Sequence, residues 1–179
     1  MRITTGIYKG RNLASPKGIR PTQNKVRKAV FDILGDIEGL SFLELFAGSA
    51  AVGLEAKSRG ASSIVFVENQ RECVQVIRKN LEMLKAAGCR IITLSVEKAV
   101  EALFNDKKSF DIIFIDPPYY KDIPKKTLQI INAYDILAPN GIMVVQHYSK
   151  DDLPDNLGVL SLLKRSKYGD TVLSFYRKA

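Results

Sequence analysis

The sequence predicts an α/β fold: a mostly parallel seven-stranded sheet with helices on both faces, an antiparallel edge, and a short basic N-terminal β-hairpin extension. Three observations predict it. Between residues 41 and 146, short apolar runs alternate with segments of helical period, the pattern of β-α-β units. The runs are nearly unbroken in apolar character, as strands buried on both faces require. The last two strand candidates, 159–163 and 171–176, are joined through Tyr168-Gly169-Asp170 with no helix between them, so they pair antiparallel.

Each element has its own signal. Residues 1–20 mix β-branched residues with Gly6, Gly10, Pro16 and Gly18, which reads as a hairpin and then a loop. A helix opens after Pro21-Thr22 and puts Val26, Ala29, Val30, Ile33 and Leu34 on one side, with Thr22 as a possible N-cap. Strands follow at 41–46, 64–68, 90–94, 110–116 and 141–146. The intervening helices are expected at 50–59, 70–87, 97–104 and 125–137, the second of them ended by Gly88. The chain divides into a basic extension with the first helix, 1–39, and a body, 40–179.

Composition excludes several classes. Apolar residues make up 46% of the 179, enough for a sizeable core and against wholesale disorder. No apolar stretch is long enough to cross a membrane, and MRITTGIYKG lacks a secretory signal. Cys73 and Cys89 form no disulfide framework and lack zinc spacing, and there is a single histidine, so no metal is expected. The chain reads as a metal-free, cytoplasmic monomer.

The net charge of +8 sits in one place. Residues 1–31 hold Arg2, Lys9, Arg11, Lys17, Arg20, Lys25, Arg27 and Lys28 and no acid, whereas 32–179 hold 19 bases and 19 acids. A neutral body with a basic front end suggests a polyanion site there, and nucleic acid is favoured over a merely solvated face. For Arg20 and Arg27, contact with RNA and bracing of the arm are equal alternatives.

In open parallel sheets, ligands bind beyond the carboxyl ends of the strands. Three such ends carry unusual residues. After the first strand comes Glu44-Leu45-Phe46-Ala47-Gly48-Ser49-Ala50-Ala51-Val52-Gly53. It is no P-loop, because Leu54 follows Gly53, and it departs from a dinucleotide fingerprint at Ala50. Glu68 ends the second strand 20 residues after Gly48, where an acid can accept both ribose hydroxyls of an adenosine. Glu44 would repel a pyrophosphate but suits an ammonium and a sulfonium, which favours S-adenosylmethionine over a nicotinamide dinucleotide.

Asp116-Pro117-Pro118-Tyr119 follows the fourth strand directly. A Pro-rich loop alone explains the prolines but not the acid before them or the aromatic after. The amine nitrogen on a nucleobase is a poor nucleophile, since its lone pair is delocalised into the ring. The Asp116 carboxylate and the Pro117 carbonyl can accept its two N–H groups and aim that lone pair outward. The prolines stiffen the loop, and Tyr119 offers a face for a splayed-out base.

With these residues in view, the sequence resembles class I S-adenosylmethionine-dependent methyltransferases. More closely it resembles the RsmD-type bacterial 16S rRNA (guanine-N2)-methyltransferases. The likeness rests on the basic front from Arg2-Ile3 to Arg11, on Arg20-Pro21-Thr22 with Val26-Arg27, on Glu44 to Ser49, on Asp116 to Tyr119, and on Tyr168-Gly169-Asp170-Thr171. It implies a Rossmann-like methyltransferase fold. It implies that the turn of Glu44, Phe46, Ala47 and Gly48 holds the methionine part of S-adenosylmethionine, that Glu68 holds its ribose, that Ser95 and Val96 border its adenine, that Ser49 and Asn69 also bind the cofactor, and that Asp116 faces both cofactor and target. Asp116, Pro117, Pro118 and Tyr119 would carry catalysis. Arg2, Lys9, Arg11, Arg20, Thr22 and Arg27 would grip small-subunit ribosomal RNA, within an assembling 30S particle. Ala50 and Ser95 depart from the glycine and the acid that relatives often carry there.

The other readings are a DNA adenine-N6 or protein glutamine amino-methyltransferase, a dinucleotide-dependent oxidoreductase, and a non-catalytic RNA-binding protein. The fold leaves no room for a DNA-recognition domain, glutamine methylation needs no basic arm, and Ala50 and Asp116-Pro117-Pro118 speak against the last two. Neither cysteine lies in a nucleophile loop, which disfavours cytosine-C5 chemistry. His147 reads as a polar strand-end residue.

Overall fold

The computed structural model describes residues 1–16, 24–118 and 122–178. In chain order the elements are α1 (Asn24–Leu34), β1 (Ser41–Leu45), α2 (Ala51–Ser58), β2 (Ser63–Val67), α3 (Arg71–Leu84), β3 (Cys89–Ile92), α4 (Val96–Asn105), β4 (Phe110–Ile115), α5 (Ile123–Tyr134), β5 (Leu137–Tyr148), β6 (Asn156–Leu157), β7 (Leu160–Tyr168) and β8 (Thr171–Lys178).

The strands form one sheet in the order β3-β2-β1-β4-β5-β8-β7-β6. The first five are mutually parallel, and β8, β7 and β6 close the edge in antiparallel register. This is the Rossmann-like methyltransferase architecture that the sequence predicts, with eight strands rather than seven. The eighth is the two-residue β6, too short to leave a period-2 signal. The N-terminal hairpin is reduced to one antiparallel bridge, Arg2 to Asn12, within an irregular arm.

Alternation along the strands sends side chains to two cores. On one face, Phe42, Phe66, Phe114, Val144 and Phe175 pack under α1, α2 and α3. On the other, Leu43, Leu45, Ile113, Ile115 and Val145 pack under α4 and α5. Ile3 and Leu13 of the arm, with Val26, Val30 and Phe31 of α1, belong to the first core, so the extension and the body share one interior.

The chain leaves β1 toward β2 on one side and reaches β4 on the other. The sheet's switch point therefore lies between β1 and β4, with Leu45 directly beside Ile115.

Candidate active site

The three strand ends singled out in the sequence meet at this switch point. The Asp116 N–H donates to the Leu45 carbonyl at 3.4 Å, and the Ala47 N–H to Val67 at 3.1 Å. Asp116, Pro117 and Pro118 thus lie beside the turn of residues 46–50, one strand from Glu68. Tyr119 falls outside the described residues.

That turn is bracketed by two non-glycine residues in the left-handed region, Phe46 at φ 59° and Ala50 at φ 61°, with Gly48 at φ 54° between them. Nothing in the sequence marks Phe46 for this conformation. A side chain added at Gly48 would meet no atom within 4 Å, so the turn presents open space to a ligand. Ala50 is 0% exposed, and its methyl group packs in the core rather than standing in the crevice. Gly53 sits inside α2 where a Cβ would come 2.5 Å from the Phe66 ring and 2.7 Å from Glu44 Oε2, so its absence lets α2 lie close on the sheet.

Glu44 is 3% exposed and projects under α2, where its Oε2 accepts the Gly53 N–H at 2.8 Å. Burial, and secondarily the charge of Asp116, push its carboxyl up to about 8, against the pull of the Gly53 and Val52 amides and of Arg27. A buried carboxyl below this turn favours a cationic ligand over a pyrophosphate.

Glu68 is more committed than an exposed strand-end acid. It is 7% exposed; Oε2 accepts the Gly48 N–H and Oε1 those of Asn69 and Gln70, each at 2.8 Å. Of roughly four acceptor positions on a carboxylate, three are taken. One ribose hydroxyl can be added directly; a second requires release of one of these amides. Ser95 caps α4, its hydroxyl accepting the Lys98 N–H at 3.5 Å, and it stands three residues past the end of β3. Val96 opens that helix, half-buried. His147 is buried and spent on the Tyr148 carbonyl and the Ser174 hydroxyl; burial keeps it neutral by lowering its pKa.

Of the basic residues expected to meet RNA, Arg2, Lys9 and Arg11 are exposed on the arm. Arg2 Nε donates to Gly10 O, and Arg11 Nη2 to Met83 O. Arg20 and Thr22 lie outside the described residues. Arg27 does not belong on an RNA surface: it is 0% exposed, donates to Arg2 O and Asn24 Oδ1, and faces Glu55 at 3.6 Å. Its place in the apolar register of α1, next to Val26, was the available signal.

Sequence reasoning missed Asn80. Buried on α3, it accepts the Ala14 N–H and donates to the carbonyls of Ala14 and Ser49, joining the arm to the ligand turn. A polar residue beside the apolar register of that helix was its only trace. Among the described residues no group of His, Cys, Asp and Glu could hold a metal, and no helix is long and apolar enough to cross a membrane.

A family model described as conserved hypothetical protein 95 matches residues 1–177. The chain is 34% identical to a putative rRNA methyltransferase, YlbH, of Bacillus subtilis, over 99% of both chains. It is 31% identical to the ribosomal RNA small subunit methyltransferase D of Escherichia coli K12, over 99% of this chain and 90% of that one. The solved structure of the putative methyltransferase yhhF from Escherichia coli superposes with a TM-score of 0.87 at 30% identity, over 99% of this chain and 97% of the other.

Proposed function

Because the chain belongs to the RsmD family of methyltransferases, we propose that it methylates the exocyclic N2 amine of a guanine in small-subunit ribosomal RNA, with S-adenosylmethionine as donor. The observation that carries this reading is the adjacency of Asp116-Pro117-Pro118 to the open turn at Gly48, across the pair Leu45–Ile115.

The residues present suit the cofactor: a buried carboxyl at Glu44 for its positive charge, a remaining acceptor position on Glu68 for its ribose, and open space at Gly48. When bound, it supplies an electrophilic methyl group on a sulfonium. The protein's part is positioning. The Asp116 carboxylate and the Pro117 carbonyl accept the two N–H groups of the target amine, which turns its lone pair toward the donor. Transfer would form the N–C bond as the methyl–sulfur bond breaks to leave a neutral thioether, and the proton of the alkylated, acidic nitrogen would pass to Asp116 or to water. Tyr119 is assigned the stacking face for the flipped base from sequence alone. Arg2, Lys9 and Arg11, with Arg20 and Thr22, are the proposed contacts to ribosomal RNA in an assembling subunit; Arg27 is left out of that set. The protein acts as a monomer in this reading.

The test is incubation with S-adenosylmethionine and small ribosomal subunits from cells lacking this activity, followed by digestion and mass spectrometry of the nucleosides. New N2-methylguanosine is the expected product. N6-methyladenosine, or no methylated nucleoside from folded, cofactor-binding protein, would overturn the assignment.

A further inference from the structure

Glu55 lies on α2, two residues past Gly53, and is 0% exposed. Its carboxylate gathers donors from three elements. Oε1 accepts the Thr4 hydroxyl at 2.6 Å, the Thr5 N–H at 3.0 Å and Arg59 Nε at 3.2 Å; Oε2 accepts the Thr4 N–H at 2.9 Å and faces Arg27 Nε of α1 at 3.6 Å. A buried carboxylate is retained only where its charge and lone pairs are matched, and here the arm backbone and two guanidinium groups match them. Ser58, one turn on, continues the contact: its hydroxyl accepts the Tyr8 N–H and donates to the Thr5 carbonyl, while its own carbonyl accepts the Ile7 N–H at 2.8 Å. Gly6 permits this approach, for a Cβ there would stand 1.6 Å from the Ser58 carbonyl oxygen. Arg27, held against Glu55, donates in turn to the Arg2 carbonyl.

We infer that Glu55 is a positioning residue for substrate RNA: it locks residues 2–8 onto α1 and α2 so that Arg2, Lys9 and Arg11 form one fixed basic surface. Every hydrogen bond that the Glu55 carboxylate accepts comes from the arm or from Arg59 and none from the ligand turn, so Glu55 acts on RNA through the arm. The arm's second anchor, Ser58, lies farther along α2, about 10 Å of helix rise past Ala51. Preorganisation of this kind lowers the ordering cost paid on binding. The inference rests on the reading of the arm as an RNA contact, and its test separates the two.

The test measures steady-state methylation of undermethylated small subunits by the full chain, with S-adenosylmethionine affinity determined separately by calorimetry. Glu55→Gln should raise KM for RNA about tenfold while kcat and cofactor affinity each change less than about twofold, and Ser58→Ala, which leaves the buried charges intact, should raise that KM about threefold. Amide exchange at Thr4 and Thr5 should quicken in Glu55→Gln. The double variant Lys9→Glu, Arg11→Glu reports on the arm itself. If it leaves KM unchanged, the RNA reading of the arm fails. If it raises KM but neither Glu55→Gln nor Ser58→Ala does, the positioning role alone fails. Should Glu55→Gln not fold, Ser58→Ala decides. A fall in kcat and cofactor affinity with KM for RNA unmoved marks a general structural role and overturns the inference.

Discussion

Glu44 stands in the middle of a buried strand with its carboxyl held at about 8, far above the ordinary 4.5. The direction has two consequences. A folded state that binds this proton more tightly than the unfolded chain loses stability as pH rises from about 4.5 toward about 8. Thermal denaturation of the cofactor-free protein should show that decline, and Glu44→Gln should flatten it. Conversely, a cationic ligand prefers the carboxylate, so below about pH 8 binding must release a proton. Affinity for S-adenosylmethionine should rise about tenfold per pH unit up to that point and then level off. Calorimetry in buffers of different ionisation heat checks the proton release; a pH-independent affinity would remove Glu44 from the ligand site. Ala50 makes a contrasting case. Relief of about 1–2 kcal/mol of left-handed strain by Ala50→Gly is offset by removal of a buried methyl group, about 0.8 kcal/mol, and by about 0.4–1 kcal/mol of added unfolded-state freedom. The melting temperature should stay close to that of the parent. Cofactor affinity should also hold, because the methyl group faces the core. A large gain in affinity would show that it obstructs the crevice.

At the scale of elements, periodicity located every long helix and strand but not their ends. The helix expected to run to 87 stops at Leu84 because Lys85 adopts the left-handed conformation, where Gly88 was the visible signal. α5 ends at Tyr134 for the same reason at Asp135, and β5 then begins earlier than its apolar run, at Leu137, through a register irregularity opposite Phe110. Non-glycine residues in left-handed geometry carry no sequence signature, and both of these helix ends depend on them. Of the candidate site, the loops after β1 and β4 were legible because packing alone does not call for an acid, a glycine turn and paired prolines at strand ends. What was not legible was pairing over long separations. Glu68 reads as a free acceptor until the Gly48 amide is seen to claim it, and for Arg27 RNA contact and bracing of the arm stay equal until Glu55 is seen to hold it. Asn80→Ala, which breaks the link between Ala14 and Ser49, should weaken both cofactor binding and RNA binding and lower the melting temperature, whereas Ser58→Ala should weaken RNA binding alone. Equal effects of the two on the cofactor would contradict this division.

For the molecule as a whole, the order β3-β2-β1-β4-β5 dictates where the chemistry sits, since only at the β1–β4 switch do two successive crossovers part and leave a crevice. The charge is arranged about that plan. The basic excess lies in the first 31 residues; of its exposed described part, Lys25 and Lys28 lie on α1, and Arg2, Lys9 and Arg11 ride on the arm over α2 and α3. RNA binding should therefore fall steeply with salt. Every phosphate that Lys9→Glu, Arg11→Glu leaves without its cation should reduce the slope of log K against log salt by about 0.7–0.9. A slope unchanged by the double reversal would move the RNA track elsewhere on the surface. The claim that binds all scales is that Asp116, at the end of β4, holds the amine that receives the methyl group. Its most direct test is single-turnover methylation of undermethylated small subunits by Asp116→Ala beside the parent, with cofactor binding followed in parallel. The account predicts transfer abolished in the variant while S-adenosylmethionine still binds within a few-fold of the parent; methylation that proceeds at the parental rate without the Asp116 carboxylate would contradict it.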